Sequence, residues 1–426
     1  LEQLIIEGGH SLKGAVRISG AKNASLPVLA ASLLTSGISS IEDVPELKDI
    51  TTFLNLLKVL GVEVNGADSG PVGGSIQLDT RRVTGFEAPY ELVRTMRASV
   101  LVLGPLVARQ GRCRLSMPGG CAIGARPIDF HLKGLEKMGA RLSLKEGYVE
   151  VTASRLKGAE ICFDIPSVTG TENLMMAASL AKGRTILKNT AREPEVTDLA
   201  RMLIVMGARI QGAGTSTIVI EGVSELTPIN WRIISDRIEA GTYVMAAAVA
   251  GGELTLHNVN PLHLGAAIGK LREAGVEIEE GNDILHVKRR GSLKSVDVTT
   301  MPYPGFPTDL QAQFMTVMTM ADGLSVIKET IFENRFMHVA ELRRMGADIR
   351  IEGNSSIVKG VRRLTGAPVM ATDLRASASL VLAGLAAKGK TIISRVYHLD
   401  RGYEAMEKKL SQIGARIDRV KSDTPY

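Results

Sequence analysis

The sequence predicts an α/β protein assembled from six copies of one unit, each about 70 residues long. Three observations predict it. An amphipathic segment ending in glycine recurs as LKVLGVEV, LEKMGARL, LIVMGARI, LREAGVEI, LRRMGADI and LSQIGARI, with glycines at Gly61, Gly139, Gly207, Gly275, Gly346 and Gly414. A second series, Gly37, Gly111, Gly183, Gly251, Gly323 and Gly389, closes segments rich in Ala, Leu, Val and Met. Between them lie β-branched runs such as GRTILKNT, TIVIEG and KTIISRVYH.

Each element follows from its pattern. The first glycines, spaced 78, 68, 68, 71 and 68 residues apart, sit where an amphipathic helix needs a left-handed residue to stop, and a strand follows each. The second series ends segments that are apolar nearly all round, so those helices are buried. The β-branched runs read as strands. The period exceeds that of ordinary solenoids, which favours six α/β modules over a stacked array. A polar, proline-containing stretch, Ser224–Asn230, leaves three repeats on either side and marks the domain break.

Composition narrows the function. Hydrophobic residues at 45% and charged residues at 23% describe a globular chain. Aromatics at 4% are too few for a base-stacking platform, and the net charge of +6 is not gathered into a basic arm. On charge alone an ordinary basic surface is as good a reading as a site for small polyanions; the residue pattern below favours the site. Cys113, Cys121 and Cys162 form no CxxC, and an odd count argues against a disulfide framework, so a reducing cytosol is expected. No run of 18 apolar residues and no signal peptide is present, and the chain begins at Leu1, which predicts a trimmed start.

Fourteen residues before each glycine of the second series stand Asn23, Arg97, Thr169, Arg237, Asp309 and Arg375. All six are polar and open a buried helix. Helix N-termini carry free N–H groups and partial positive charge, so they suit phosphates and carboxylates. The ordinary alternative is six N-caps facing water, a role that Asn, Thr and Asp fill well. Arginine is a poor cap, which tips the reading towards one anion-binding cleft.

Other residues carry chemistry. Cys121 lies in PGGCAIGARP, five residues before Arg126, where a thiol can be reactive; Cys113 and Cys162 lie in strand-like runs and read as buried and inert. A Cys121/His131 hydrolase pair gets no support from a ten-residue separation. Arg97, Arg126, Arg335, Arg375 and Arg401 recur beside Asn, Asp, Gly and Pro at element ends, and guanidinium forks grip phosphate and carboxylate. Lys22 adjoins the first helix start. Asp309, in GFPTDLQAQF, reads either as an N-cap or as a general base. No Walker A, no GxGxxG after a strand and no metal-ligand spacing is found.

At this point SGAKNASLP, TMRAS, PGGCAIGARPIDFHL, TGTENLMMAA, GFPTDLQAQF, IFENRFMH, TDLRASASLVLAG and HLDRGYE together resemble the UDP-N-acetylglucosamine 1-carboxyvinyltransferases, enolpyruvyl transferases of peptidoglycan synthesis. The resemblance runs in order from Gly14 to Leu410. The cysteine loop separates it from the relatives that make 5-enolpyruvylshikimate 3-phosphate. Two departures stand out: Thr169 and Gly170 where many members have Gly and Ala, and Leu101 where some have Trp.

The resemblance implies an inside-out α/β barrel of two domains, each of three βαβαββ units with buried helices and outward sheets. It implies domains of 22–229, carrying a mobile cysteine loop at about 116–128, and of 1–21 plus 230–426, with the active site in the cleft between. It implies Cys121 as proton donor and fosfomycin target, Asp309 as base, and Lys22 and Arg401, with Arg126, as phosphoenolpyruvate contacts. Asn23 and Arg97 lie beside the substrates. Arg126, Pro127, Ile128, Asp129, Phe130, Ser167 and Val168 meet the UDP part, Asp309 and Ile331 contact the nucleotide sugar, and Phe332, Arg335, Asp373 and Arg375 are further substrate-binding positions. The partners implied are two small molecules, phosphoenolpyruvate and UDP-N-acetylglucosamine, with no cofactor, metal, nucleic acid or membrane. The shikimate-pathway transferase and a six-repeat nucleic-acid scaffold are the competing readings.

Overall fold

The computed structural model describes residues 2–66, 74–117 and 128–421. The chain divides into two compact units. Among the described residues, one holds 2–19 and 235–421, the other those between 20 and 234. Each has its own apolar core.

In the 20–234 unit, the inner helices are α1 (Lys22–Ala31), α2 (Leu103–Gln110, entered through the 3-10 turn Arg97–Val102) and α3 (Val168–Ser179). In the other unit they are α4 (Arg237–Ala250), α5 (Gln311–Met318, entered through Thr308–Leu310) and α6 (Leu374–Ala386). They are the near-apolar segments of the sequence, and almost every residue past the first turn is buried. Packing is close. A Cβ on Gly104 of α2 would lie 2.3 Å from the Asn173 carbonyl oxygen of α3.

Around these helices stand six four-stranded sheets, three to a unit among the described residues. Each sheet has one parallel pair followed by two antiparallel pairings, as in Glu87–Ala88, Arg112–Ser116, Tyr148–Thr152 and Arg141–Lys145. Alternate residues of the central strands point inward to the helices. The amphipathic helices Lys48–Val59, Asp129–Lys137, Pro194–Val205, Gly265–Glu273, His338–Arg344 and Met406–Gln412 lead to the outer strands. All six stop at the predicted glycine, with φ between +90° and +109°. In each, the residue after the glycine donates to a carbonyl five residues back, as Val62 does to Leu57 at 3.0 Å.

Strands near the N-terminus complete two sheets of the 235–421 unit. Glu2–Glu7 lies between Lys390–Ser394 and Arg416–Lys421, and Leu12–Arg17 runs parallel to Gly252–His257. In the other unit the short strand Asn230–Arg232 runs parallel to Ile38–Val44.

Period-two alternation corrects one expectation. Cys113 is buried as predicted, and burial raises its thiol pKa. Cys162 is exposed, because the strand Glu160–Cys162 turns Ile161 inward and the cysteine outward.

α3 and the Pro194–Val205 helix carry several buried acids, Glu172, Glu195 and Asp198. Asp198 accepts a hydrogen bond from the Trp231 indole at 3.4 Å, yet burial pushes its pKa up to about 7. The folded state therefore holds the Asp198 proton more tightly than the unfolded chain, and stability declines as pH rises from about 4 to about 7. Asp198→Asn removes this titration. Relative to the parent, the variant is expected to gain roughly 2–3 kcal/mol between pH 5 and pH 8 in chemical denaturation. An unchanged difference across that range would contradict the assignment.

Candidate functional site

The six periodic polar residues occupy first turns, but they are not the caps. Ser167, Asp236 and Asp373 cap α3, α4 and α6, with Asp236 accepting from the Ile238 and Glu239 amides at 2.8 and 3.0 Å. The N-cap alternative for Asp309 also fails: Pro307 holds that position. In α3, α4 and α6 the cap side chain thus takes first-turn N–H groups, whereas Ala21, Met96 and Pro307 at the other three starts offer no side-chain cap.

In the 235–421 unit the first turns assemble a charged cluster. Asp309 accepts from Arg335 Nη2 at 2.9 Å through one carboxylate oxygen. Its other oxygen accepts from Arg375 Nη2 and Nε at 3.0 and 3.2 Å. The two guanidinium groups are 4% and 3% exposed against 26% for Asp309, so the acid presents the accessible edge. Burial works against the Arg375 charge, but Asp309 and the neighbouring Tyr403 and Asp236 outweigh it and raise its pKa. Arg375 Nη1 is buried without a hydrogen-bond partner among the described residues. The Arg335 guanidinium carbon lies 5.3 Å from the Phe332 ring centroid. Asp373 holds the Arg375 and Ala376 amides at 2.9 and 3.0 Å.

Glu329 joins Ile331 to this cluster. Its carboxylate accepts from the Ile331 amide, the Thr308 hydroxyl and the Thr300 hydroxyl, each at 2.8 Å, and from the Phe332 amide at 3.3 Å. One buried acid thus fixes the residue before Asp309 and the turn that presents Ile331. Arg401 ends the 3-10 turn Val396–Arg401. Arg237 opens α4, with its guanidinium carbon 5.6 Å from the Tyr303 ring centroid.

In the 20–234 unit Lys22 is the first residue of α1, Asn23 the next, and Lys22 Nζ pairs with the buried Asp49 at 3.2 Å. Ile128 caps the helix that Asp129 and Phe130 begin, and Phe130 meets Phe163 edge-on with centroids 6.2 Å apart. Ser167 accepts from the Gly170 amide at 3.2 Å ahead of Val168. Arg97 opens the 3-10 turn before α2.

Burial, reinforced by the charge of Arg97, lowers the His131 pKa to about 3, so the ring is neutral. Its Nδ1 meets Asn173 at 2.8 Å and its Nε2 meets Thr169 at 3.4 Å. Both ring nitrogens are thus engaged by side chains of α3.

Cys121, Arg126 and Pro127 lie outside the described residues. Asp309, Phe332, Arg335, Asp373 and Arg375 come together in one unit; Lys22, Asn23, Arg97, Ile128, Asp129, Phe130, Ser167 and Val168 belong to the other. Sequence reasoning missed Asp49 and Glu329. Glu329 has no local signal, since its partners Thr300 and Thr308 lie more than twenty residues away. Among the described residues no three His, Cys, Asp or Glu side chains are grouped to hold a metal ion. No described helix is long and apolar enough to cross a membrane.

Comparison with known proteins places this geometry. The family model of EPSP synthase (3-phosphoshikimate 1-carboxyvinyltransferase) matches residues 6–410. The UDP-N-acetylglucosamine 1-carboxyvinyltransferase of Thermodesulfovibrio yellowstonii is 58% identical over 427 residues, covering 99% of this chain and all of that one. Its namesake from Geobacter metallireducens is 59% identical over 421 residues with the same coverage. Among solved structures, the enolpyruvyl transferase NikO from Streptomyces tendae superposes with a TM-score of 0.89 at 27% identity, over 99% of both chains. An EPSP synthase from Acinetobacter baumannii, at 21% identity and a TM-score of 0.76, shares the fold.

Proposed function

Because this chain belongs to the UDP-N-acetylglucosamine 1-carboxyvinyltransferases, within the EPSP synthase family, we propose that it transfers the enolpyruvyl group of phosphoenolpyruvate to the 3-hydroxyl of UDP-N-acetylglucosamine and releases phosphate. This is the first committed step of peptidoglycan synthesis, placed in the cytosol. The observation that carries the proposal is identity near 60% over almost the whole length of proteins bearing that name. The Asp309–Arg335–Arg375 cluster supports it chemically.

The reaction is an addition followed by an elimination. Cys121 gives a proton to the methylene of phosphoenolpyruvate, and the 3-oxygen of the sugar bonds to the carbon that bears phosphate. Asp309 takes the hydroxyl proton. The resulting ketal then returns a methyl proton to the Cys121 thiolate and expels phosphate, which takes the proton from Asp309; this restores the enol ether and both groups. Two buried guanidinium groups hold the Asp309 carboxylate in place to receive the hydroxyl proton. Proton transfer from the hydroxyl follows protonation of the methylene, which makes the adjacent carbon electron-poor.

Lys22, Arg126 and Arg401 hold the phosphate and carboxylate of phosphoenolpyruvate. Asn23, Arg97, Asp129, Phe130, Ser167, Val168 and Ile331 line the place of the nucleotide sugar. The equation balances with two substrates and acid–base groups alone, so neither metal nor cofactor is required.

Acceptor choice tests the reading. Phosphate release from phosphoenolpyruvate is expected with UDP-N-acetylglucosamine and not with shikimate 3-phosphate. The reverse preference would assign the chain to the shikimate-pathway reaction. Salt-sensitive binding to nucleic acid with no phosphate release from either pair would replace the enzyme by a scaffold.

A further inference from the structure

One buried phenol links the inner helices of the 235–421 unit. Tyr403 is 2% exposed and follows the Arg401 turn by two residues. Its hydroxyl lies 2.8 Å from Thr242 Oγ1 of α4 and 3.0 Å from Gln313 Nε2 of α5. Its ring lies against Arg375 of α6, with the guanidinium carbon 5.3 Å from the centroid. Each inner helix thus sends one polar side chain to Tyr403, each within two turns of its N-terminus.

Counting protons fixes the direction of this network. Thr242 spends its one hydroxyl proton on the Ile238 carbonyl at 2.8 Å, so towards Tyr403 it accepts. Tyr403 therefore donates to Thr242, and the Gln313 amide, 3.0 Å from the Tyr403 oxygen and 3.2 Å from Thr242 Oγ1, donates towards that pair. The Gln313 amide also donates to the Asp309 carbonyl at 3.0 Å. Tyr403 is consequently tied to Asp309 twice: to its backbone through Gln313, and to its carboxylate through Arg375. The same residue anchors the Arg401 turn, because the Tyr403 amide donates to Leu399 at 3.0 Å. A Cβ at Gly402 would lie 2.7 Å from Leu374 at the start of α6, so the turn sits directly on that helix.

We propose that Tyr403 is a positioning residue for transfer: with Gln313 and Thr242 it holds the Asp309–Arg375 pair and the Arg401 turn in one fixed arrangement. The inference rests on the reading of Asp309 as the base.

Tyr403→Phe keeps the ring and removes the hydroxyl. We expect kcat to fall about tenfold. KM for both substrates is expected to stay within about twofold, with rates referred to the folded fraction. Tyr243→Phe is the control, since the Tyr243 hydroxyl on α4 is buried without a partner among the described residues; its kcat is expected to be unchanged. Thr242→Val, which removes the acceptor of the Tyr403 proton, should lower kcat in the same direction and serves if Tyr403→Phe folds poorly. Because Tyr403 acts through Asp309, Tyr403→Phe/Asp309→Asn should be no slower than Asp309→Asn alone.

Parental kcat in both Tyr403→Phe and Thr242→Val, or strict additivity in the double variant, overturns the inference. If Asp309→Asn itself turns over at the parental rate, the reading of the base has failed. If it does not, while Tyr403→Phe does, only the positioning role has failed.

Discussion

Asp309→Asn is expected to lower turnover about a thousandfold, a loss of about 4 kcal/mol in transition-state stabilisation. The amide keeps the shape of the side chain and can still accept from one arginine, but it cannot take the hydroxyl proton. Binding of UDP-N-acetylglucosamine should survive within about tenfold, because the other sugar contacts are untouched. The variant also leaves Arg335 and Arg375, both nearly fully buried, facing a neutral group. Since Asp309 itself is partly exposed, that loss is set at about 1–3 kcal/mol of stability, less than for a fully buried pair. Paired measurement of kcat and calorimetric binding separates the roles. Parental turnover would remove Asp309 from the chemistry, and lost binding with retained kcat would make it a substrate holder.

Lys409→Met should produce the largest loss of stability. Lys409 Nζ donates to Glu239 Oε1 and to Ser19 Oγ, both at 2.7 Å, and the Ser19 amide donates to Glu239 Oε2 at 2.7 Å. Glu404 completes the group through the Ser19 hydroxyl. None of the four is more than 7% exposed. The cluster ties residue 19, where the unit's first segment ends, to the first turn of α4 and to the Met406–Gln412 helix. Without the lysine, Glu239 loses the cation it pairs with, and a buried carboxylate stripped of that partner costs about 3–5 kcal/mol. For a unit of this size that is a fall of roughly 10 °C in Tm.

The loss should depend on pH. Burial already raises the Glu239 pKa, partly opposed by Lys409, and removing the lysine raises it further. A carboxyl whose folded pKa exceeds its unfolded value favours folding more at low pH, so the deficit is expected to shrink as pH falls towards 5. A Tm within 2 °C of the parent at pH 8 would contradict the account, as would a deficit independent of pH.

The repeat was legible because backbone geometry imposes it. A helix that stops in the left-handed region needs glycine, and six glycines with φ near +90° or above produced the periodic signal. The inner helices were legible from apolarity alone. The first-turn polar residues were found by counting, but their role was not. Asp309 could be read as a cap because Asp commonly is one; Pro307 in the cap position and arginine partners 26 and 66 residues away show otherwise. Cys162 was misread because a three-residue strand is too short to reveal which face is inward. Asp49, Glu329 and Tyr403 were invisible for a shared reason: each acts through partners distant in sequence, and no spacing rule relates them.

Carbon-labelled phosphoenolpyruvate offers the most direct measurement of the central claim. Incubated with UDP-N-acetylglucosamine and the protein, the label should appear as an enol ether on the sugar 3-oxygen, with one phosphate released for each label transferred. Label recovered as free pyruvate, or phosphate released without the nucleotide sugar, would show hydrolysis instead of transfer and contradict the account.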